Sequence, residues 1–243
     1  MPIAVTYSYL CDSVVVYERR VAGQALQFGL SGLYHNSNPL LFDRREGGQG
    51  ESLWSQLDGR AVAGPAAAEG QRLTVIPSAL IAWEDWRRLH PGTTVMAADP
   101  GHRGLYKREP VPGYLQSDEL VFPVTPEAPT DRRARKTRVV VVEAGGQRCV
   151  FPLPVLAERA DADGRWSTTL GGVPLTFAFR AQPRCAWVRP EPPDAPIDVR
   201  YAFWFAWHAL HPDDPVFSED VPARAGSRTP PAPDDDPTPP LPE

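Results

Sequence analysis

From its third residue the chain alternates apolar with polar or small side chains. Ile3–Leu10, Ser13–Arg20 and Ala25–Ser31 read as β-strands on this period of two. The VAGQ stretch between the last two is a turn signal, because Gly23 adopts positive φ without penalty. Pro39–Arg44 and Leu73–Pro77 read as further strands. Arg138–Glu143 and Gln147–Pro152 flank an Ala-Gly-Gly turn and predict a hairpin. Val173–Phe179 and Cys185–Arg189 read as another pair. Two segments have helical character, Ser78–Leu89 and Ala202–Leu210. Ser78 is the expected N-cap of the first, and each segment stops at a His-Pro pair, where proline disfavours the helical conformation of the residue before it.

The two helical segments belong to an internal repeat. AWEDWRRLHPGTTVM (Ala82–Met96) aligns without a gap on FWFAWHALHPDDPVF (Phe203–Phe217). Trp83 falls on Trp204, Trp86 on Trp207, Leu89 on Leu210, His90 on His211, Pro91 on Pro212 and Val95 on Val216. Upstream, PIAVTYSYLC (Pro2–Cys11) loosely parallels GVPLTFAF (Gly172–Phe179). The expectation is an α+β protein of short, mostly antiparallel strands in two pseudo-repeated units, each with one Trp-rich helix whose Trp-x-x-Trp face packs on a sheet. The units expected are residues 1–98 and 137–220. A Pro- and charge-rich connector, residues 99–136, lies between them, and residues 221–243 follow as a tail.

Composition refines this picture. The 243 residues hold 25 Lys+Arg and 30 Asp+Glu, a net charge of -5, with 42% hydrophobic residues and 29 prolines. That apolar content suffices for a packed core. The last 31 residues carry 8 acids and 2 arginines, so the preceding 212 carry a net +1 and the acidity belongs to the tail. From Pro222 onward 8 of 22 residues are proline, a composition expected to stay disordered. The near-neutral body argues against a nucleic-acid partner, and RRARK (Arg132–Lys136) reads as a solvated run in the connector. No apolar run reaches the roughly 18 residues of a membrane helix. The opening residues lack the three regions of a signal peptide, so the chain as it stands is expected in the cytoplasm. Opening directly on a strand suggests either a sheet edge or a late start.

The ordered set VTYSYLCDS, LQFGLSGL, LLFDRR, SLWSQLDGRAVAG and AWEDWRRLHPGTTVM, followed by YKREPVPGY, VVVVEAGGQRCVFPL and FWFAWHALHP, resembles the bacterial domain-of-unknown-function family numbered 3179. The resemblance implies no established activity. It implies relatives often preceded by an export signal or lipoprotein anchor, with a strand-rich segment before the first motif, which points to a shortened N-terminus here. It also implies a Cys-Pro-Leu-Cys-like stretch where this chain reads Ser8-Tyr9-Leu10-Cys11, so that Cys11 keeps one sulfur and Ser8 replaces the other.

The candidate chemistry gathers in the first unit. Cys11 follows a strand at a turn, as a thiolate nucleophile or soft metal ligand. Cys149 and Cys185 lie within apolar strand patterns and read as core. His90 and His211 end equivalent helices, where a histidine interacts with the helix dipole and last carbonyls; His90 is also the candidate second metal ligand. Asp43-Arg44-Arg45 closes a strand before a glycine-rich loop, either binding an anionic or polar substrate or fixing the loop by an Asp–Arg pair. Trp54 and Gln56, in SLWSQ, suit stacking on and hydrogen-bonding a ligand, although a Trp so placed is commonly core. GLSG (Gly29–Gly32) departs from the G-x-S-x-G nucleophile elbow by one residue. The expected site is therefore Cys11 and Asp43 as catalytic residues, Arg44, Trp54 and Gln56 as substrate contacts, and Cys11 with His90 as ligands of a transition metal. The first reading is a binding or structural module with a polar pocket in the first unit, its partner a small molecule or a protein. The alternative is a metal- or thiol-dependent enzyme using Cys11 with His90 or His35 and Asp43.

Overall fold

The computed structural model describes residues 1–45, 50–97, 101, 111–182 and 185–218. The predicted disordered tail lies outside the described residues, as do residue 98 and residues 99–100 and 102–110 of the connector.

Alternation appears directly as burial. β1 (Ile3–Ser8) and β2 (Ser13–Glu18) form an antiparallel hairpin in which Val5 faces Val16. In β2, Ser13, Val15 and Tyr17 are buried and their neighbours half-buried, a strand with one core face. The VAGQ turn closes the two-residue strands β3 (Arg20–Val21) and β4 (Gln24–Ala25), with Ala22 and Gly23 both at positive φ. β5 (Phe28–His35), β6 (Asn38–Asp43), β7 (Leu53–Ser55) and β8 (Ala61–Ala63) follow as a four-stranded meander in that order. α1 (Pro65–Ala68) leads to β9 (Thr74–Ile76), which pairs with β2. Then comes α2 (Trp83–Leu89).

Beyond the connector, β10 (Arg138–Ala144) and β11 (Gln147–Pro152) form the expected hairpin. α3 (Leu153–Arg159) leads to the three-stranded sheet β12 (Arg165–Leu170), β13 (Val173–Arg180) and β14 (Cys185–Pro190). The chain ends its described course on β15 (Ile197–Phe203) and α4 (Trp204–Leu210). β15 runs along the whole of β10 and touches β2 at Val14, completing a sheet of order β1-β2-β15-β10-β11 with β9 beside β2. Strands from both halves of the chain thus share one antiparallel sheet. The fold is α+β.

β10 separates two cores. Its valines alternate between faces: Val139 and Val141 pack with Trp54, Trp204, Phe205 and Trp207, while Val140 and Val142 pack with Phe151, Phe177 and Tyr201. The first core holds α4, the second the three-stranded sheet and α3.

Several expectations are corrected by this packing. α2 begins at Trp83, five residues after Ser78; the N-cap is Ala82, and the Ser78 hydroxyl is buried without a partner. Residues Ala202 and Phe203 end β15 before α4 starts. No side chain caps α4; instead the amides of Trp204 and Phe205 donate to the carbonyls of Thr137 and Arg135, which satisfy two N–H groups without intrahelical partners. The helix repeat keeps its endings: the amides of His90 and His211 donate to the carbonyls of Trp86 and Trp207, and the two residues share one cap conformation, with φ -127° and ψ 71° at His90 and φ -140° and ψ 67° at His211. Its packing is not kept. Trp204 and Trp207 are core, whereas Trp83 is half exposed and α2 buries only Asp85. The strands do not repeat either, since β1 is the edge of the large sheet and β13 the middle of the small one.

Candidate functional site

Gln56 is the centre of the first half. It sits just past β7 and is 1% exposed. Its Oε1 accepts from Ser13 Oγ at 2.6 Å and Asn38 Nδ2 at 3.0 Å; its Nε2 donates to Thr6 Oγ1 at 2.9 Å; its carbonyl accepts from Tyr17 at 2.9 Å. These bonds join β1, β2, β6 and β7. Because an unpaired buried amide is costly, this side chain holds the two sheets in one relative placement.

Cys11 meets the edge of that network. Its amide donates to Ser8 Oγ at 3.4 Å, and its thiol donates to the carbonyl of Ser37 at 3.1 Å. Burial pushes the thiol up to about 12, so it stays protonated at neutral pH. A nucleophilic or metal-binding cysteine needs the thiolate and access, and Cys11 has neither. The thiolate reading is corrected on that ground.

Asp43 is fully buried at the end of β6. Its carboxylate accepts from the amide of Ser52 and from Arg45 Nη2 at 2.7 Å, tying the two ends of the loop between β6 and β7. Of the glycine-rich loop, residues 46–49 lie outside the described residues. Trp54 is fully buried opposite Leu41, with Phe28 edge-on at 5.8 Å, and is core. His90 is exposed at the end of α2, its ring 4.1 Å from that of Trp86 and tilted 36° to it. His35 is exposed at the end of β5. GLSG runs through β5, where Gly29 leaves room for the ring of Phe42 and Gly32 takes a φ of 78°. Among the described residues no three His, Cys, Asp or Glu side chains converge as metal ligands.

Of the three expected substrate contacts, Arg44 is the exposed one, and its side chain has no hydrogen bond or ion pair among the described residues. Its guanidinium lies 5.7 Å over the ring of Phe42. With Gln56 at the floor it lines a groove of about 590 Å³ between β1 and β5. Both strands are the last of their sheets. Val5, 69% exposed, and Leu30, 78% exposed, present apolar side chains there, and Arg19 is its second cation. Among the described residues no carboxylate lines it. The groove escaped the sequence reading because two edge strands, 25 residues apart, must be brought face to face to form it; the signal available was the lack of charge in IAVTYS.

A second cluster, also not anticipated, ties the halves together. Asp58, beyond β7, pairs with Arg60 at 3.1 Å and Arg72 at 3.1 Å. His211 Nε2 lies 3.3 Å from Asp58 Oδ1, close but not aligned as a hydrogen bond. Across the imidazole, Arg148 Nη1 sits 3.5 Å from Nδ1 and bonds Asp214, which accepts from Trp207 Nε1 at 3.0 Å. Burial would raise the Asp58 carboxyl, but His211, Arg72 and Arg60 hold it well below the usual carboxylate range. The basic run in the connector is likewise engaged: Arg133 lies 4.8 Å over Trp204, Arg135 pairs with Glu127, and Lys136 donates to the carbonyls of Tyr114, Ser117 and Glu119.

The arrangement is that of an α+β protein with a polar network closed inside its first half and an open groove beside it. The chain belongs to the family described as "Protein of unknown function (DUF3179)", whose model matches residues 1–194. No curated protein and no solved structure matches it. No helix among the described residues is long and apolar enough to cross a membrane.

Proposed function

We propose that this protein is a binding module whose site is the groove between β1 and β5, with Arg44 at its rim and Gln56 holding its floor. The observation that carries the reading is the pairing of two sheet edges around one cavity, with exposed Val5 and Leu30 and two cations on its wall. The enzyme reading asks for a reactive group in that place, and the polar residues expected to supply one, Cys11 and Asp43, are engaged in the interior.

A test is selection of a random peptide library on the full chain, with the enriched peptides remeasured on Val5→Asp and Leu30→Asp. Both side chains are largely exposed, so the variants should keep the parent melting temperature. Affinities reduced about tenfold or more, about 1.4 kcal/mol, in both variants support the groove. Failure to enrich, or equal binding by the parent and both variants, overturns it.

A further inference from the structure

We propose that the occupant of this groove is an extended acidic segment of another polypeptide, added as a strand to the free edge of β1. The proposal rests on the groove reading above.

Three observations carry it. First, among the described residues β1 is an unpaired edge without protection. Native edges are usually blunted by charges, prolines or bulges, and Ile3–Ser8 contains none of these. The opposite wall differs: β5 shifts register between Leu30 and Tyr34 and carries two glycines, so it is the poorer template. Second, Ile3 to Tyr7 all line the cavity, a length of about 13 Å at roughly 3.3 Å per residue, which accepts a partner segment of about five residues. Third, the charge is one-sided. Arg19 and Arg44 face the cavity, no carboxylate among the described residues lines it, and Arg44 has no acidic partner among them. Arg19 already donates to the carbonyl of Leu26, leaving Arg44 as the cation available to a ligand. An acidic side chain on the incoming strand supplies the missing charge. A second copy pairing β1 on β1 would not, since IAVTYS has no acid.

The probes are fluorescein-labelled heptapeptides of alternating valine and glutamate, the same peptide with lysine for glutamate, and two versions of the glutamate peptide N-methylated at odd or at even positions. Only alternate amides of an added strand face the edge it joins, so one methylated version should lose binding and the other keep it. The full chain at low ionic strength should bind the glutamate peptide about tenfold more tightly than the lysine peptide, and Arg44→Glu should reverse that order. One methylation pattern should weaken binding about tenfold or more, and the other about twofold or less.

Equal effects of the two methylation patterns, with Val5→Asp still reducing affinity, overturn strand addition and leave the groove as the site. Equal binding of glutamate and lysine peptides, with the same dependence on Val5, overturns the acidic partner alone. Sedimentation as a dimer that Val5→Asp dissociates and the glutamate peptide does not would assign the edge to a second copy and overturn the proposal. Binding unaffected by Val5→Asp and Leu30→Asp would overturn the groove reading itself.

Discussion

The imidazole of His211 stacks on the indole of Trp207, one turn earlier in α4, with ring centroids 4.4 Å apart and planes 27° from parallel. His90 repeats the relationship on Trp86 in α2, at 4.1 Å and 36°. The contact is set by the i, i+4 spacing of the Trp-x-x-x-His-Pro ending, which brings the two rings over one turn before proline stops the helix. What surrounds each pair differs. His211 is enclosed by Asp58 and Arg148, whereas His90 faces solvent.

Replacing these histidines should separate local from tertiary contributions. His211→Ala should destabilise the fold by about 2 kcal/mol, through lost stacking and loosened charge contacts around Asp58. His90→Ala should cost no more than about 0.5 kcal/mol, as exposed substitutions do. Urea denaturation of both variants makes the comparison; equal losses would show that the enclosure of His211 contributes nothing.

Asp58 makes stability sensitive to acid. Its folded carboxyl titrates well below the ordinary value of 3.8, so its contribution is full above the unfolded value and is lost as the pH falls through the depressed one. Unfolding free energy measured from pH 6 down to pH 2 should therefore fall, and Asp58→Asn should show a shallower fall from a lower starting stability. An Asp58→Asn acid limb as steep as that of the parent would count against this account.

Cys11 should be silent toward thiol reagents in the native protein. With burial pushing its thiol up to about 12, few thiolates form at pH 8 and none is accessible. Ellman's reagent should label it only as fast as the fold opens, and Cys11→Ala should leave peptide binding within about twofold of the parent. Labelling in native buffer at the rate seen in denaturant would contradict its enclosure.

Gln56→Ala should be among the most damaging single changes in the first half. It removes the acceptor shared by Ser13 and Asn38 and the donor to Thr6, all inside the protein. A loss of about 3 kcal/mol in urea unfolding is expected from stranded buried groups. Gln56→Glu should not rescue it, since the carboxylate keeps the acceptor but loses the donor and buries a charge.

Much of the fold follows from neighbouring residues alone. The alternation in β2, the Ala-Gly-Gly hairpin of β10 and β11, the positive-φ turn at Gly23 and the two helices ending at His-Pro depend on interactions within a few residues, and all of these stand in the structure. The candidate site was legible only in part. Asp43 and Gln56 fall at opposite ends of the β6–β7 pairing, Asp43 beside Ser52 and Gln56 beside Pro39, and side-chain type did not indicate that Asp43, Trp54 and Gln56 point inward and Arg44 outward.

Tertiary structure made that choice. β15 keeps a period of two, with Asp198 and Arg200 between Ile197, Val199 and Tyr201, but its last residues, Ala202 and Phe203, run without a break into the apolar α4, so the end of the strand reads as the start of the helix. Its insertion between β2 and β10 places α4 in the core and leaves α2 outside, so identical Trp spacings have opposite environments. The same assembly encloses Cys11 and Gln56, and aligns the edges of β1 and β5 around Arg44. Local sequence set the periods, turns and helix ends, because those depend on backbone sterics and adjacent side chains. Burial, titration state and the groove depend on residues brought together from distant parts of the chain, and only the folded structure decided them.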